Sequence, residues 1–124
     1  MTDAVRDALD RGGLIDITTT GRRSGRPHRI EIVFHNIGGR IYISGMPRRR
    51  RRDWLANLEA DPRFTFHVKR GVKADLPATA RIITDASERR EVLSHVARIW
   101  GSRANLETML RYSPLIEVTF DQSD

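Results

Sequence analysis

At 124 residues the chain is long enough for one domain and too short for a deep two-domain cleft. It has no cysteine, which removes disulfides, thiolate metal sites and a cysteine nucleophile, and no apolar run approaches the ~18–20 residues that span a bilayer. The formal charge is +6, with lysine only at Lys69 and Lys73 and arginine supplying the rest; nucleic acid, acidic lipid and a phosphorylated cofactor all remain open as anionic partners.

In chain order, Thr2 or Asp3 can cap a short helix bearing Val5, Ala8 and Leu9 on one face, ended by Gly12-Gly13. This start mixes acids and arginines, lacks the apolar centre of a signal peptide, and leads us to expect a cytoplasmic protein with no integral membrane segment. Leu14 to Thr20 alternates as a strand, with Ile15, Ile17 and Thr19 on one face. Gly21 to Pro27 is a turn or loop. His28 to His35 resumes as a strand with Ile30, Ile32 and Phe34 on one face; Asn36 to Gly39 closes a hairpin onto Arg40 to Ser44. Pro47 to Arg52 is a basic loop, and Asp53 is placed as the N-cap of a helix carrying Trp54, Leu55 and Leu58, stopped by Asp61-Pro62. Arg63 to Arg70 alternates with Phe64, Phe66 and Val68 inward and His67 on the polar face. Leu76 to Thr84 is another strand. Asp85-x-x-Glu88 reads as a capping box opening a helix with Val92, Leu93, Val96 and Ile99 along one stripe. A second short helix is expected from Ala104 to Arg111, and Leu115 to Phe120 is the last strand.

About six strands, with helices between hairpins rather than in βαβ alternation, predict an α+β, mainly β fold: an antiparallel barrel with helices packed on it, forming a single domain over residues 1–124.

Two segments carry chemistry. Gly21 to Pro27 combines glycines with Arg22, Arg23, Ser24 and Arg26, a pattern that can hold an anion in a nest of backbone N–H groups, or serve as a plain connector with solvated arginines. Arg48 to Arg52 are five consecutive mutually repelling guanidiniums before a helix N-terminus, suited to an anion, to nucleic acid or to a solvated rim. His28, His35, His67 and His95 show no metal-ligand spacing, and Ser24 lacks an identifiable His/Asp pair. No metal is therefore expected, and the hard chemistry of an enzyme would fall to a bound cofactor.

The order of Thr18–Pro27 (TTTGRRSGRP), the hairpin Gly38-Gly39-Arg40 and Asp53–Pro62 (DWLANLEADP) resembles the deazaflavin (F420)-dependent nitroreductases, also described as F420-dependent quinone reductases, of the split β-barrel flavin-binding superfamily. The likeness runs from about Leu14 to Thr84. It implies a six-stranded, FMN-binding-like split barrel and an F420 cofactor in a groove, with FMN as the alternative. The ring would lie against Ile43, Ser44 and Gly45, with backbone amides near Met46. The anionic tail would meet Arg22, Arg23, Ser24 and Gly25, and Arg50, Arg51 and Arg52 up to Trp54, with Asn57 in support and His28 beside the cofactor. The implied activity is hydride transfer to a small conjugated acceptor such as a quinone, nitroaromatic or enone; His28 and Tyr112 are the candidate proton donors, and a homodimer is compatible with so small a chain. The chain departs from the family pattern at Glu31, Val33 and Met46-Pro47. Two other readings stand beside this one: a nucleic-acid-binding barrel using its arginine loops, which the 6% aromatic content argues against, and a flavin- or deazaflavin-binding protein without turnover.

Overall fold

The computed structural model describes residues 1–101 and 104–121. Its elements are α1 (Asp3–Arg11), β1 (Gly13–Thr20), β2 (Pro27–Ile37), β3 (Arg40–Ser44), α2 (Asp53–Ala60), β4 (Arg63–Val68), β5 (Ala74–Ile82), α3 (Ala86–Trp100), α4 (Leu106–Tyr112) and β6 (Leu115–Phe120). The strands close into one barrel in the order β1-β2-β3-β6-β5-β4, and each neighbouring pair is antiparallel. This is the six-stranded antiparallel barrel with packed helices that the alternation of the sequence called for.

Sidedness follows from the two-residue period of a strand. Ile15, Ile17 and Thr19 of β1 point inward, as do Phe64 and Phe66 of β4, and meet Phe34, Ile43 and Ile116 in the barrel core. Phe66 receives Phe34 and Phe120 edge-on, with ring centroids 5.2 and 5.1 Å away. Such pairs add about 0.5–1.5 kcal/mol each beyond the area they bury. Helix α2 contributes Trp54, Leu55 and Leu58 to this core. A second core forms where Val92, Leu93 and Val96 of α3 and Met109 of α4 cover Tyr42, Ile83 and Leu115.

Local chemistry sets the ends. Thr2 is the N-cap of α1, its hydroxyl accepting from Val5 N–H at 3.2 Å. The β2–β3 turn is only Gly38-Gly39, both at positive φ, which L-residues with a Cβ resist. Asn36 and Ile37, expected in that turn, belong to β2 instead, and the Asn36 side-chain oxygen accepts from Gly39 N–H at 2.9 Å.

Several expectations need correction. Asp53 is the first residue of α2 rather than its cap; Arg52 holds the cap position and supplies no side-chain acceptor. The capping box of α3 is half made: Asp85 accepts from Glu88 N–H at 2.9 Å, but the Glu88 carboxylate turns to Arg81, whose guanidinium donates to it. Strands β4 and β5 stop short at Val68 and Ile82. Ile99 leaves the apolar stripe of α3 and is 62% exposed. His67 does project from the outer face, yet only 8% of it is exposed. A polar lattice over β1, β4 and β5 covers it: its Nε2 shares a 2.6 Å hydrogen bond with the Thr18 hydroxyl, and its Nδ1–H donates to Asp75 at 2.7 Å. Beside it Lys69 donates to Asp16 at 2.7 Å and also to Glu31, and Asp16 takes a further bond from Arg29 at 3.0 Å.

Candidate functional site

The two motifs that are distant in the sequence are stitched together by one side chain. Asn57 of α2 is 2% exposed. Its amide oxygen accepts from the Arg22 backbone N–H at 3.1 Å and from the Arg22 guanidinium at 3.0 Å, while its NH2 donates to the Thr19 hydroxyl at 3.1 Å. Arg22 also reaches Asp53 at 3.4 Å. A buried amide with four bonding positions is costly to leave unpaired, so α2 and the 21–26 loop are fixed to each other.

That loop is also closed on itself. Gly21 N–H donates to Arg26 O and Gly25 N–H to Gly21 O, both at 2.8 Å, and Arg26 N–H donates to the Ser24 hydroxyl at 3.1 Å. With Arg22 N–H on Asn57, the amides of residues 21, 22, 25 and 26 are spent inside the protein. Of the two readings of this segment, an anion nest or a connector, these bonds leave no open nest at those four amides; Arg23 and Arg26 have no side-chain partner among the described residues.

An open groove of about 960 Å³ runs between β2, the β3–α2 connection and the end of α3. Its apolar wall is Ile30, Ile32, Val33, Trp54 and Trp100; its polar wall is Ser44, Gly45, Met46 and the arginine loop. Two acids line it, and each is already neutralised: Asp53 by Arg22, Glu31 by Lys69. The arginines divide. Arg51 is tied to Glu59, and Arg52 donates to Met46 O at 2.7 Å. Arg48 and Arg50 have no side-chain partner among the described residues. Burial, and then repulsion from Arg48, pushes the Arg52 guanidinium below its ordinary range. An arginine stays charged there, so the groove end carries a positive potential that an anion would relieve.

A smaller cavity of about 380 Å³ adjoins the groove, and Ile30, Asp53 and Trp54 line both. It collects Gly21, Arg22, Arg23, Ser24, His28 and Asn57. The two arginine loops thus border one continuous surface on either side of the α2 N-terminus.

Of the residues singled out from the sequence, Ser44, Gly45, Met46, Arg50, Arg51, Arg52 and Trp54 line the groove, and Arg22, Arg23, Ser24, His28 and Asn57 line the adjoining cavity. Ile43 does neither: it is fully buried in the barrel core, because alternation along β3 turns it inward. Gly25 borders neither cavity; its positive φ of 70° closes the turn. Ser44 is buried, and its hydroxyl donates to Pro114 O at 2.8 Å. Tyr112 lies behind the arginine loop, away from the groove. Sequence reasoning included Arg48 in the anion-binding run but not among the tail contacts, and it missed Trp100 and the groove role of Ile30 and Ile32. Trp100 had no local signal, since it arrives from the far end of α3. It stands against His35, ring centroids 5.7 Å apart, and burial pushes the His35 imidazole below its ordinary range and keeps it neutral.

The residues present fit a ring cofactor with an anionic tail. The groove has an apolar wall for a ring and unpaired guanidiniums for charge. Gly45 keeps the backbone open beside them: a Cβ there would stand 2.9 Å from Arg52 Nη2. Among the described residues no group of His, Asp and Glu is placed to hold a metal, and no helix is long and apolar enough to cross a membrane.

A family model described as F420H(2)-dependent quinone reductase matches residues 4–112. Among solved structures, a conserved hypothetical protein from Mycobacterium tuberculosis aligns at TM-score 0.73 and 18% identity, covering 98% of this chain and 82% of that one. An F420-H2 dependent reductase aligns at TM-score 0.64 and 20% identity, covering 86% and 94%. An FAD-binding protein from Mesorhizobium loti aligns at TM-score 0.63 and 14% identity, covering 98% and 91%. At these identities the structural likeness is one of fold, the split β-barrel.

Proposed function

Because this chain belongs to the F420H(2)-dependent quinone reductase family, an enzyme family, we propose that its groove holds F420 and that the acceptor is a small conjugated molecule: a quinone, nitroaromatic or enone. The observation that carries the reading is the contrast within one groove between an apolar wall and guanidiniums without counter-ions. Arg48 and Arg50 would hold the anionic tail, with Arg23 at the adjoining cavity. Backbone groups at Gly45 and Met46 would orient the ring, since the Ser44 hydroxyl is already engaged. Ile30, Ile32, Trp54 and Trp100 would exclude water from the reacting face.

When bound, the reduced deazaflavin supplies the hydride; a quinone that takes it up needs one further proton. Between the two candidate donors the proposal keeps His28, which borders the adjoining cavity, over Tyr112, which the arginine loop separates from the groove.

The test is a titration of wild type and the double variant Arg48→Gln/Arg50→Gln with F420, a tail-less deazaflavin and FMN. Loss of two charge-assisted contacts weakens F420 by at least about tenfold, while the tail-less analogue changes less than about twofold. Equal losses for both would contradict the assignment of the tail, and tighter binding of FMN than of F420 would make the cofactor a flavin.

A further inference from the structure

The arginine loop has a second face. A separate cavity of about 310 Å³ lies between this loop, the end of β5 and the α4–β6 connection. It shares Arg48, Arg50, Arg51 and Arg52 with the groove and no lining residue outside the loop. Its wall holds seven arginines, Arg89 and Arg111 in addition to Arg48–Arg52, and no Asp or Glu.

Two features distinguish it from a solvated rim. Arg89 is anchored from the inside: its guanidinium donates to the carbonyls of Ile83 at 3.2 Å, Leu110 at 3.1 Å and Ser113 at 2.9 Å, with Met109 O at 3.4 Å. These neutral acceptors fix its position without cancelling its charge. Ser113 is 4% exposed, lines the cavity, and its hydroxyl has no hydrogen-bond partner among the described residues. Buried hydroxyls are normally paired, so an unpaired one in a wall of guanidiniums and free of carboxylates is a donor awaiting an acceptor.

We infer that this cavity is a second oxyanion site, separate from the groove, which takes a small phosphorylated molecule with its phosphate against Ser113, Arg89 and Arg111 and its apolar part against Leu55 and Leu110. Guanidinium forks and a hydroxyl match phosphate oxygens, and a wall this basic favours an anion of charge −2 or more. The inference stands whether or not the groove holds a deazaflavin.

The test uses pyrophosphate as probe, titrated calorimetrically at constant ionic strength into wild type, Ser113→Ala, Arg111→Gln and Arg70→Gln; the last removes the same charge from an exposed position outside the cavity. Wild type binds one equivalent saturably, Ser113→Ala and Arg111→Gln each bind about tenfold more weakly, and Arg70→Gln stays within about twofold. Because the Ser113 hydroxyl has no partner, Ser113→Ala leaves the Tm of the anion-free protein unlowered while shrinking the rise that pyrophosphate produces. Absence of saturable binding, or unchanged binding in both cavity variants, overturns the site. F420 titrated into Ser113→Ala binds within about twofold of wild type; a tenfold loss would assign the cavity to the tail of the cofactor and overturn a separate ligand.

Discussion

The two arginine-bearing loops look alike in the sequence and differ in nearly every physical respect. In the 21–26 loop, four backbone amides and the Arg22 side chain are bonded within the protein, and a buried amide, Asn57, clamps the loop to α2. In the 47–52 loop, Arg48, Arg49 and Arg50 have no side-chain partner among the described residues, and cavities open on both sides. The first loop is a fastener whose backbone amides and Arg22 are spoken for, while Arg23 and Arg26 keep their charges unpaired among the described residues; the second is a reservoir of charge held against its own repulsion. What decides the chemistry of an arginine cluster is the inventory of its partners, which the number of guanidiniums does not reveal.

The largest expected effect breaks the fastener. Asn57→Ala strands the Arg22 amide and the Thr19 hydroxyl in a buried setting and should cost about 2–4 kcal/mol in urea unfolding. An unfolding midpoint equal to wild type would show that the first loop is as loose as the second, and the comparison would fail. A smaller effect sets a glycine of the first loop against the one that leads into the second. Gly25→Ala forces a Cβ onto a φ of 70° with nothing nearby to clash, a purely conformational cost of about 1–2 kcal/mol. Gly45→Ala meets only the flexible end of Arg52 and should cost less than about 1 kcal/mol while dislodging that guanidinium from Met46 O. Thermal unfolding of the pair measures the order; a reversed order would assign the rigid role to the second loop. The smallest effect lies in the ion pair of the open loop. Arg51→Ala removes an exposed pair with Glu59 and should change stability by about 0–1 kcal/mol, diminishing further in salt. A larger loss would mean that the loop is held as firmly as its counterpart.

Much of the barrel was legible because half-buried strands advertise themselves. Ile15, Ile17 and Thr19, or Phe64 and Phe66, fall on the inner face by alternation alone, and Val92, Leu93 and Val96 follow the helical period. The same reasoning failed where a third layer intervened. His67 sits on the correct face but is covered by Thr18 and Asp75, which come from other strands. Ile43 lies in the strand assigned to the ring yet points away from it. The pairing of the loop with α2 was visible as two co-occurring motifs, and the structure supplies the cause: Thr19, Arg22, Asp53 and Asn57 form one hydrogen-bonded unit. Trp100 and Ser113 gave no signal: Trp100 meets β2 across more than sixty residues of chain, and Ser113 is placed by the packing of α4 against the end of β5 and the arginine loop.

Closure of the barrel has a consequence for assembly. Every strand has two neighbours, yet β2 pairs with β3 only from Phe34 to Ile37, so along Pro27 to Val33 the edge of β2 that faces away from β1 has no strand partner among the described residues. A second copy of the chain, or an extended peptide, that added a strand would therefore do so along this part of β2, whose Ile30 to Val33 line the groove, so strand addition and occupancy of the groove would compete.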